Sequence, residues 1–503
     1  MNFKNNRLFT IFISIIGGGA SALAFAPFNY IPLLYLGYFI LFYSIYKAKN
    51  LKDSILYGLI FGISHFLVGT YWLFTIANNY IGSNKIALII IIFGIILILS
   101  AYYAFFTFVA QLFKSRIKKL YIWIVLILPI LATLMQWLKS WFLTGFTWLR
   151  PSDTLFNFGY SYLLPITGPL GIELIFFILI SLLLLTFIYK NISSLLTLFL
   201  FMLIFIGSSK YLRSINFTTP LNKKLTIEAI ATNFSRDSKA KEYMVVERIK
   251  KFQQLSLQEP FADLVIWPES VYSMDNRYIQ NRVKSGFEKF QDNNISLLYG
   301  AYINKKSGSL NVIKDEKNKV VYTKWHLIPF GEYTPKWFYI FKKYLPSFFM
   351  DELLSKKNNN NILVKNIEIS LSICYELLFS NEIRKLSKSS NLMVEISDLG
   401  WFNHSWAQAY LLEVARERAM ENQKPLVFVS NQGDTAFIKS NGVIKKIVSK
   451  DITATLFEKV QPRKGTTIYA KYGDRLILYL LVFLFIFYIL LNFKFNKKES
   501  YEL

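Results

Sequence analysis

The 503-residue sequence is strongly apolar, with 53 % hydrophobic residues and a mean hydropathy of +0.34. This composition excludes an ordinary soluble protein and predicts an integral membrane protein. Several apolar stretches are long enough for a transmembrane helix, which needs about 20 residues to cross a bilayer. The formal net charge of +25 favours contact with anionic lipid headgroups over nucleic-acid binding, since the basic residues are dispersed and form no recognisable nucleic-acid-binding module.

Apolar segments along the chain predict about eight transmembrane helices. They cover residues 8–25, 31–46, 55–74, 86–113, 120–138, 170–189, 195–206 and 476–493. The first segment follows Lys4 and Arg7 and ends in ALAFA, as a cleavable secretory signal does. Because it leads directly into a second apolar segment, we expect it to remain as the first helix.

The positions of lysine and arginine beside these segments predict the orientation of the chain. Basic residues flank the amino terminus, the second, fourth and sixth loops, and the carboxyl-terminal tail. The positive-inside rule therefore places both termini in the cytoplasm. The predicted organisation is a membrane domain over 1–220 with seven helices, an outer domain over 221–472, and an eighth helix with a cytoplasmic tail over 473–503.

The outer segment alternates short β-rich runs with polar helical stretches. Strands are predicted at LTIEAIATN, DLVIWPES, ISLLYGAYI, NKVVYTKW, IEISLSICY, NLMVEIS and PLVFVSNQG, and helices at KAKEYMVVERIKKFQQLSL, YIQNRVKSGFEKFQ and WAQAYLLEVARERAMENQ. This alternation predicts an α/β layered domain, and about 250 residues are enough for a core of its own. The single cysteine of the chain excludes an intrachain disulfide.

Three reactive residues each end an apolar run of this outer segment. Glu269 follows ADLVIWP, Lys324 follows KVVYT, and Cys374 follows IEISLSI. Because ligands of α/β folds gather at the carboxyl ends of strands, we expect these side chains to meet. A nearby ammonium lowers the pKa of a thiol and a carboxylate accepts its proton, so the set predicts nucleophilic acyl chemistry.

Each of these residues also has a purely structural interpretation. An isolated cysteine is more often a packing residue, Glu269 could simply end a strand, and Lys324 could be a solvated flank. Histidine is the usual base for a catalytic cysteine, and the chain has only three. His326 lies two residues after Lys324, an offset that places both on one face of a strand, so His326 stays an alternative base.

Longer motifs around these residues resemble a single family. The outer segment contains VIWPES, KWHLIPFGEYTP, SICYE, WFNHS, ARERAMENQKPL and SNQGDTAFI, and the amino-terminal half contains LAFAPFNYIPL, GTYWLF and QWLKSWFLTGFTWLRPS. Together they resemble the apolipoprotein N-acyltransferases, the membrane-embedded members of the nitrilase superfamily, over nearly the whole chain. The resemblance implies a nitrilase-like α-β-β-α sandwich on the periplasmic side of a bacterial inner membrane.

The resemblance also implies roles for the three reactive residues. Glu269 would be the general base, Lys324 would orient the thiol and stabilise the oxyanion, and Cys374 would be the nucleophile. An acyl chain would pass from a membrane phospholipid to Cys374 as a thioester, and then to the α-amino group of the diacylglyceryl-cysteine that begins a lipoprotein. This chemistry needs no metal and no dissociable cofactor.

Further positions match supporting residues of the family. Glu332 in PFGEY and Glu376 in CYE match acidic positions near the triad, and the backbone N–H of Tyr375 would complete the oxyanion hole. Asn311 is matched to a family asparagine across a shorter loop. Residues 397–403 depart from the family, since they read SDLGWFN in place of SNDAWFG, which changes the hydrogen bonding of a substrate-side loop.

A second departure follows the first predicted strand of the outer segment. Residues 231–233 read ATN where the family has VQ-x-N, and Ala240 stands near an expected tryptophan, for which Tyr243 is a possible substitute.

Two other functional classes are rivals, and the sequence does not exclude the first of them. A membrane-anchored nitrilase-type amidase would use the same triad with water as the acceptor. A transporter would place ionisable groups deep within its spans, which are nearly free of them here, with Glu173 near the end of a span as the main candidate.

Residues 335–350, PKWFYIFKKYLPSFFM, combine lysines with aromatic residues after the predicted lysine-bearing strand. Rings and lysines together suit the headgroup level of a bilayer. We therefore expect an arm on the outer leaflet that admits lipid substrates, with Trp337, Phe338 and Phe341 as its contacts.

Overall fold

The computed structural model describes residues 7–80, 85–117, 119–234, 241–258, 262–273, 277–341, 353–356, 361–402 and 405–499. The chain divides into two compact units. The first unit contains Met1–Ile215 and Tyr472–Leu503, and the second contains Asn216–Lys471.

The helices of the two units are numbered together along the chain. They are α1 (Arg7–Ala22), α2 (Ile31–Lys47), α3 (Leu51–Gly69), α4 (Trp72–Tyr80), α5 (Lys85–Lys114), α6 (Leu120–Ile122), α7 (Leu128–Lys139), α8 (Ser152–Leu155), α9 (Leu164–Tyr189), α10 (Ile192–Leu212), α11 (Glu242–Ser256), α12 (Arg277–Asp292), α13 (Ser380–Ser387), α14 (Ala407–Asn422), α15 (Ile468–Tyr472) and α16 (Arg475–Glu499). A π-helical turn, Trp123–Ile127, joins α6 to α7.

Five helical segments within the described ranges are long and apolar enough to cross a membrane. They are Leu51–Gly69, Ile89–Lys114, Leu120–Lys139, Ser161–Tyr189 and Ile192–Ser209. Three shorter apolar helices, Arg7–Ala22, Ile31–Lys47 and Arg475–Leu490, coincide with the remaining predicted spans. The presence of membrane-capable helices is therefore confirmed, and their number of eight stays a prediction.

Several predicted spans have different bounds in the structure, and two of them are informative. The span predicted over 55–74 is α3, which ends at Gly69 before a turn. The span predicted from residue 170 belongs to α9, which begins at Leu164 and is interrupted at Gly168, where φ is 64°. The sequence pattern placed the start after Pro169 because proline ends a regular hydrogen-bond ladder, whereas here helix continues on both sides of the interruption.

Small residues let the helices of the first unit approach closely. α3 packs against both α1 and α5. A Cβ atom added to Gly62 would lie 2.8 Å from the Cα atom of Ser100 on α5, and one added to Gly18 on α1 would overlap the carbonyl oxygen of Phe61. Close backbone contact of this kind is typical of helix packing inside membranes.

Glu173, the ionisable residue expected near a span end, forms a buried ion pair. Its two carboxylate oxygens accept hydrogen bonds from Nε and an Nη of Arg150, at 2.9 and 2.8 Å. Arg150 is 5 % exposed and Glu173 is 0 % exposed. The charge of Glu173 therefore has a partner inside the first unit.

The second unit contains the strands. They are β1 (Thr218–Pro220), β2 (Leu225–Ala231), β3 (Leu264–Ile266), β4 (Ser296–Lys305), β5 (Gly308–Asp315), β6 (Val320–Thr323), β7 (Ile362–Val364), β8 (Ile367–Ile373), β9 (Leu392–Asp398), β10 (Leu426–Asn431), β11 (Thr435–Ile438), β12 (Ile444–Val448), β13 (Ala454–Val460) and β14 (Arg463–Gly465). Two six-stranded sheets result, with the orders β13-β2-β3-β4-β5-β6 and β12-β11-β10-β9-β8-β7, and β1 pairs with β14.

The strand directions bring four carboxyl ends to one edge of the first sheet. β2, β3 and β4 are mutually parallel, while β5 runs antiparallel to β4, and β6 antiparallel to β5. Consequently β6 runs in the same direction as β3. In the second sheet β8, β9 and β10 are parallel. A parallel bridge between Thr232 and Asn431 joins the carboxyl ends of β2 and β10, so the same edges of the two sheets meet.

Helices cover one face of each sheet. α11 and α12 bury their apolar residues with Val265, Trp267 and Tyr299 in one core cluster, and α13 and α14 pack on β8 and β10. Since β2 also contacts β10, the layers follow the order helix, sheet, sheet, helix. The predicted α/β layered fold is confirmed at this level.

Several elements of the second unit were not predicted. β5 forms a hairpin with β4, and its residues GSLNVIKD lack a clear apolar alternation. The short β7 and the strands from β11 to β14 were also missed, as was α13. Among the missed strands, β7, β11, β12 and β14 have only three to five residues, which gives a short pattern in the sequence.

Glu228 is a buried acid within β2. It is 1 % exposed and lies between Val265 of β3 and Phe457 of β13 in the strand register. No hydrogen-bond partner is found for its Oε1 atom among the described residues. Burial raises the pKa of the Glu228 carboxyl to about 8.

The Arg150–Glu173 pair yields a stability prediction. Replacing Glu173 with glutamine leaves a buried guanidinium without its charge partner, which typically costs about 3–5 kcal/mol of unfolding free energy. The matched control is the double variant Arg150→Met/Glu173→Leu, which removes both charges and should lose much less. Thermal unfolding of the full-length protein in detergent measures both. Equal losses in the two variants would contradict the assignment of the cost to an unpaired charge.

Glu228 yields a pH-dependent prediction. Its pKa is about 8 when folded and 4.5 ordinarily, so the unfolded chain releases this proton first and the unfolding free energy falls as pH rises from about 4.5 to 8. Glu228→Gln removes this penalty, and each pKa unit corresponds to about 1.4 kcal/mol. The stability difference between Glu228→Gln and the parent should therefore grow by a few kcal/mol from pH 5 to 8. A difference that stays constant with pH would show that Glu228 does not titrate in this range.

Candidate active site

Glu269 lies in a tight turn that follows β3. The next residue, Ser270, has a φ of 63°, in the left-handed region that side chains disfavour. The turn lies against Gly300 of β4, whose N–H donates to the carbonyl of Pro268 at 3.2 Å. A Cβ atom at Gly300 would lie 2.5 Å from the Cα atom of Glu269. Only glycine at this position lets the turn pack against the sheet.

The carboxylate of Glu269 is held on both sides. Its Oε1 accepts a hydrogen bond from Nδ2 of Asn311 at 2.7 Å, and its Oε2 accepts one from the backbone N–H of Asp398 at 2.7 Å. The side chain is 5 % exposed. Asn311 lies on β5 and Asp398 ends β9, so residues of both sheets orient this one carboxylate.

Lys324 directly follows β6 and is fully buried, with 0 % exposure. Its Nζ donates to Oε1 of Glu332 at 2.6 Å and lies 3.8 Å from Oε1 of Glu269. Glu332 in turn accepts the backbone N–H of Ile328 through Oε2 at 2.8 Å. The ammonium group therefore sits between two carboxylates.

Cys374 directly follows β8 and occupies a strained position. Its φ is 54° and its side chain is buried. Its backbone N–H donates to Oε1 of Glu395 on β9 at 2.8 Å. The residue also begins a short 3-10 turn, Cys374–Leu378. A sharp turn from strand to helix presents the side chain of its first residue at the sheet edge.

Glu376 connects the cysteine turn to the strand that carries Lys324. Its Oε2 accepts hydrogen bonds from the N–H of Ile373 and the hydroxyl of Tyr322, both at 2.8 Å. Its Oε1 accepts the N–H of Trp325 at 2.9 Å. Burial raises the pKa of the Glu376 carboxyl to about 7, although the hydrogen bonds from the N–H groups of Trp325 and Ile373 lower it. One buried side chain thus fixes the ends of β6 and β8 relative to each other.

The electrostatics of the site favour a protonated thiol at rest. Burial raises the pKa of the Cys374 thiol well above its usual value, and the charge of Glu269 adds to this, while Lys324 opposes it. Lys324 thus lowers the pKa of the thiol, as expected of a nearby ammonium, but burial outweighs this effect. Burial also raises the pKa of the Glu269 carboxyl, with Lys324 opposing, which makes Glu269 a stronger proton acceptor.

The pKa of the Lys324 ammonium is raised despite its burial. Burial alone lowers this pKa, but the carboxylates of Glu332 and Glu269 outweigh burial and hold it well above its usual range. Lys324 therefore stays a cation. A fixed buried cation is suited to stabilising negative charge on a reacting oxygen.

His326, the alternative base, is engaged elsewhere. Its Nδ1 contacts Oε1 of Glu382 at 2.9 Å, and its ring stacks on Phe379 at a centroid distance of 3.6 Å. The ring of Tyr375 lies edge-on to it at 5.6 Å. This arrangement supports the aromatic wall beside the cysteine turn and favours Glu269 as the base.

The predicted membrane arm is described only in part. The segment Lys336–Phe341 forms a 3-10 turn. Phe338 is 8 % exposed and its ring packs edge-on against Phe330 at 4.9 Å. This side chain is therefore buried and does not lie on an exposed lipid-facing surface. The side chains of Trp337 and Phe341, and residues 342–350, lie outside the described part.

Sequence reasoning missed several residues that position the site. Asn431 of β10 donates to Oδ1 of Asp398 at 2.9 Å and so supports the strand end that holds Glu269. Glu395 and Tyr322 contact the cysteine turn and Glu376, respectively. A glutamate inside the apolar run NLMVEIS was the one available signal, because an acid there needs a buried partner. No group of three metal-ligating side chains occurs within the described ranges.

Comparisons with known proteins agree with this architecture. The amino-terminal domain of apolipoprotein N-acyltransferase matches residues 17–182, and the carbon-nitrogen hydrolase family matches residues 239–473. The chain is also similar to solved structures of an amidase from Nesterenkonia sp. AN1, with 15 % identity, a TM-score of 0.35, and coverage of 52 % of this chain and 98 % of the amidase. Saccharomyces cerevisiae Nit3 is 16 % identical, with a TM-score of 0.34 and coverage of 48 % of this chain and 92 % of Nit3. The two family matches define a carbon-nitrogen hydrolase domain that follows a helical, membrane-capable domain.

Curated relatives cover nearly the whole chain. The apolipoprotein N-acyltransferase of Wigglesworthia glossinidia brevipalpis is 28 % identical over 95 % of this chain and 97 % of its own length. The apolipoprotein N-acyltransferase of Haemophilus influenzae is 27 % identical over 96 % of this chain and 94 % of its own length. The chain is therefore similar to apolipoprotein N-acyltransferases over nearly its whole length. The predicted resemblance is thereby confirmed, and with it the class of acyltransferase enzymes.

Gly300 yields a prediction about the position of the base. Gly300→Ala places a methyl group against the backbone of the Glu269 turn, and a displacement of about 1 Å at a reacting group can reduce the rate about 10²-fold. Gly207→Ala on α10 is the matched control, since no atom lies within 4 Å of its added Cβ. Acyl transfer by the two purified variants should fall only in the first. A Gly300→Ala enzyme with parental activity would show that the turn tolerates the shift.

Proposed function

We propose that this chain transfers an acyl chain from a membrane phospholipid to the α-amino group of the diacylglyceryl-cysteine at the amino terminus of lipoproteins. The observation that carries the proposal is the arrangement of Lys324 between Glu269 and Glu332, at the sheet edge where β8 delivers Cys374. The names of the curated relatives support both the acyltransferase reaction and the lipoprotein substrate.

The first half-reaction forms a thioester. Glu269 removes the thiol proton of Cys374 as Sγ attacks the ester carbonyl of the phospholipid. Negative charge on the carbonyl oxygen is stabilised by the Lys324 ammonium and by the N–H of Tyr375, which lies in the first turn of a helical segment, where N–H groups have no partner within the helix. The intermediate then breaks its ester C–O bond, and Glu269 returns the proton to the departing lysophospholipid.

The second half-reaction consumes the thioester. The neutral α-amine of the acceptor attacks the thioester carbonyl and forms the amide bond, Glu269 takes one amine proton, and the departing thiolate of Cys374 recovers that proton. A covalent intermediate lets one site serve two lipid substrates in turn. Because burial keeps the resting thiol protonated, attack requires the base at the moment of reaction.

The same proposal includes the placement of the chain. We assign residues 1–220 and 473–503 to a membrane domain with eight transmembrane helices and cytoplasmic termini, and residues 221–472 to the periplasmic side of a bacterial inner membrane. The distribution of basic residues beside the spans supports this orientation. The phospholipid donor, the lipoprotein acceptor and the bilayer are then all within reach of one side of the membrane.

Mass spectrometry of the intact protein tests the first half-reaction. The parent, incubated in phospholipid vesicles, should gain one acyl group on Cys374, the only cysteine of the chain. Cys374→Ser and Glu269→Gln should form no thioester, because the first lacks a thiol and the second lacks the proton acceptor. Glu228→Gln is the matched control, since it makes the same substitution at a buried glutamate that takes no part in the hydrogen bonds of the site. A thioester formed by Glu269→Gln at the parental rate would exclude Glu269 as the base.

The acceptor decides between acyl transfer and hydrolysis. The acylated protein should lose its adduct when a diacylglyceryl-cysteine peptide with a free α-amine is added, and the peptide should gain the acyl mass. The same peptide with an acetylated α-amine should leave the adduct in place. Rapid loss of the adduct in buffer alone would favour the membrane-anchored amidase, which uses water.

A further inference from the structure

Glu395 is a buried acid directly behind the reactive cysteine. It lies in the middle of β9 and is 0 % exposed. Its Oε1 accepts the backbone N–H of Cys374 at 2.8 Å and the hydroxyl of Ser397 at 2.6 Å. No hydrogen-bond partner is found for its Oε2 within the described residues. The mechanism above assigns no role to this side chain.

The backbone N–H of Cys374 needs an unusual partner. The parallel pairing of β8 with β9 ends at Ile373 and Ile396, so Cys374 lies beyond the sheet ladder. Its φ of 54° turns the chain away from the strand direction. A buried N–H without an acceptor is costly, and a left-handed conformation is itself unfavourable for a residue with a side chain. Glu395 replaces the missing ladder acceptor with a side-chain oxygen.

The surroundings of Glu395 favour its neutral form. The charged and titratable groups that act on it are Glu269 after β3, Lys324 after β6 and Cys374 after β8. Burial raises the pKa of the Glu395 carboxyl well above its usual value, and the charge of Glu269 raises it further. The hydrogen bonds from the hydroxyl of Ser397 and the N–H of Cys374 lower this pKa, but burial outweighs them. Lys324, the one cation among these groups, is already hydrogen-bonded to Glu332. An ionised Glu395 would also oppose the formation of a thiolate on Cys374.

We propose that Glu395 is a positioning residue for acyl transfer, whose uncharged carboxyl group accepts the Cys374 N–H and thereby holds the strained backbone that directs the thiol toward substrate. The inference rests on the proposed function, because it takes Cys374 as the nucleophile. Glu395 touches no reacting atom and acts only through Cys374. It must accept a hydrogen bond and must not carry a charge, two requirements that different substitutions separate.

Four variants of the full-length protein test these requirements. Glu395→Gln keeps an uncharged acceptor oxygen of the same reach, Glu395→Asp keeps a carboxyl group that is one methylene shorter, and Glu395→Leu removes the acceptor. Glu228→Leu is the matched control, since it removes a buried strand glutamate elsewhere. Single-turnover acylation of Cys374 by vesicle phospholipid is followed by intact mass as the phospholipid concentration is varied, and thermal unfolding is measured in parallel.

We expect Glu395→Gln to acylate within about threefold of the parent and Glu395→Leu to lose about 10- to 100-fold in the maximal rate, the loss expected for one buried hydrogen bond. The phospholipid concentration at half-maximal rate should stay unchanged, because Glu395 does not touch substrate. Glu395→Asp should be slower than Glu395→Gln. Glu228→Leu should acylate at the parental rate.

Two outcomes overturn the inference. One is a folded Glu395→Gln protein that loses as much as Glu395→Leu, which would show that a charged carboxylate is needed. The other is parental acylation by Glu395→Leu. If Glu395→Leu does not fold, the acylation rates of Glu395→Gln and Glu395→Asp are compared instead. A Glu395→Asp protein that acylates as fast as Glu395→Gln, or faster, overturns the inference. Acylation of a Cys374→Ser protein would instead refute the proposed function, so the two failures are distinguishable.

Discussion

A single buried cation organises the second unit. The ammonium group of Lys324 has no exposed surface, and a charge in such a place is tolerated only when opposite charges and hydrogen bonds surround it. Glu332 supplies the close contact at 2.6 Å and Glu269 the second one at 3.8 Å. Each carboxylate is in turn held by backbone N–H groups or by an amide. The turn after β3, the turn after β6 and the end of β9 therefore all depend on where this ammonium lies.

The reactive thiol is adapted to the same environment. Burial and the charge of Glu269 keep it protonated, so the site holds one cation and its carboxylates without adding a permanent thiolate. The carboxyl group of Glu269, with its raised pKa, remains able to accept the thiol proton. The thiol therefore stays protonated at rest. We expect it to lose its proton to Glu269 only when a substrate carbonyl group is present.

Buried acids hold the backbone around this centre. Glu376 receives N–H groups from the ends of two strands that belong to different sheets, and Glu395 receives the N–H of the cysteine itself. A side-chain carboxyl reaches backbone groups that a sheet ladder cannot reach once the strands have ended. The strained φ values of Ser270 and Cys374 occur at strand ends, and at Cys374 the Glu395 carboxyl is the acceptor that stabilises the turn.

The sequence by itself determined the membrane-capable helices, the α/β character of the outer segment and the residues at the strand ends, because apolar length and periodicity are local properties. It also indicated Glu269, Lys324 and Cys374, since each directly ends an apolar run. Only the tertiary structure decided that β6 runs parallel to β3 through the unpredicted strand β5, that Asn311 and Asp398 hold the Glu269 carboxylate, and that Glu395 holds the backbone of Cys374. Only it showed that burial outweighs Lys324 in setting the pKa of the thiol, and that Phe338 is buried. These facts depend on which distant segments become neighbours and how much water they exclude, and no local pattern encodes either.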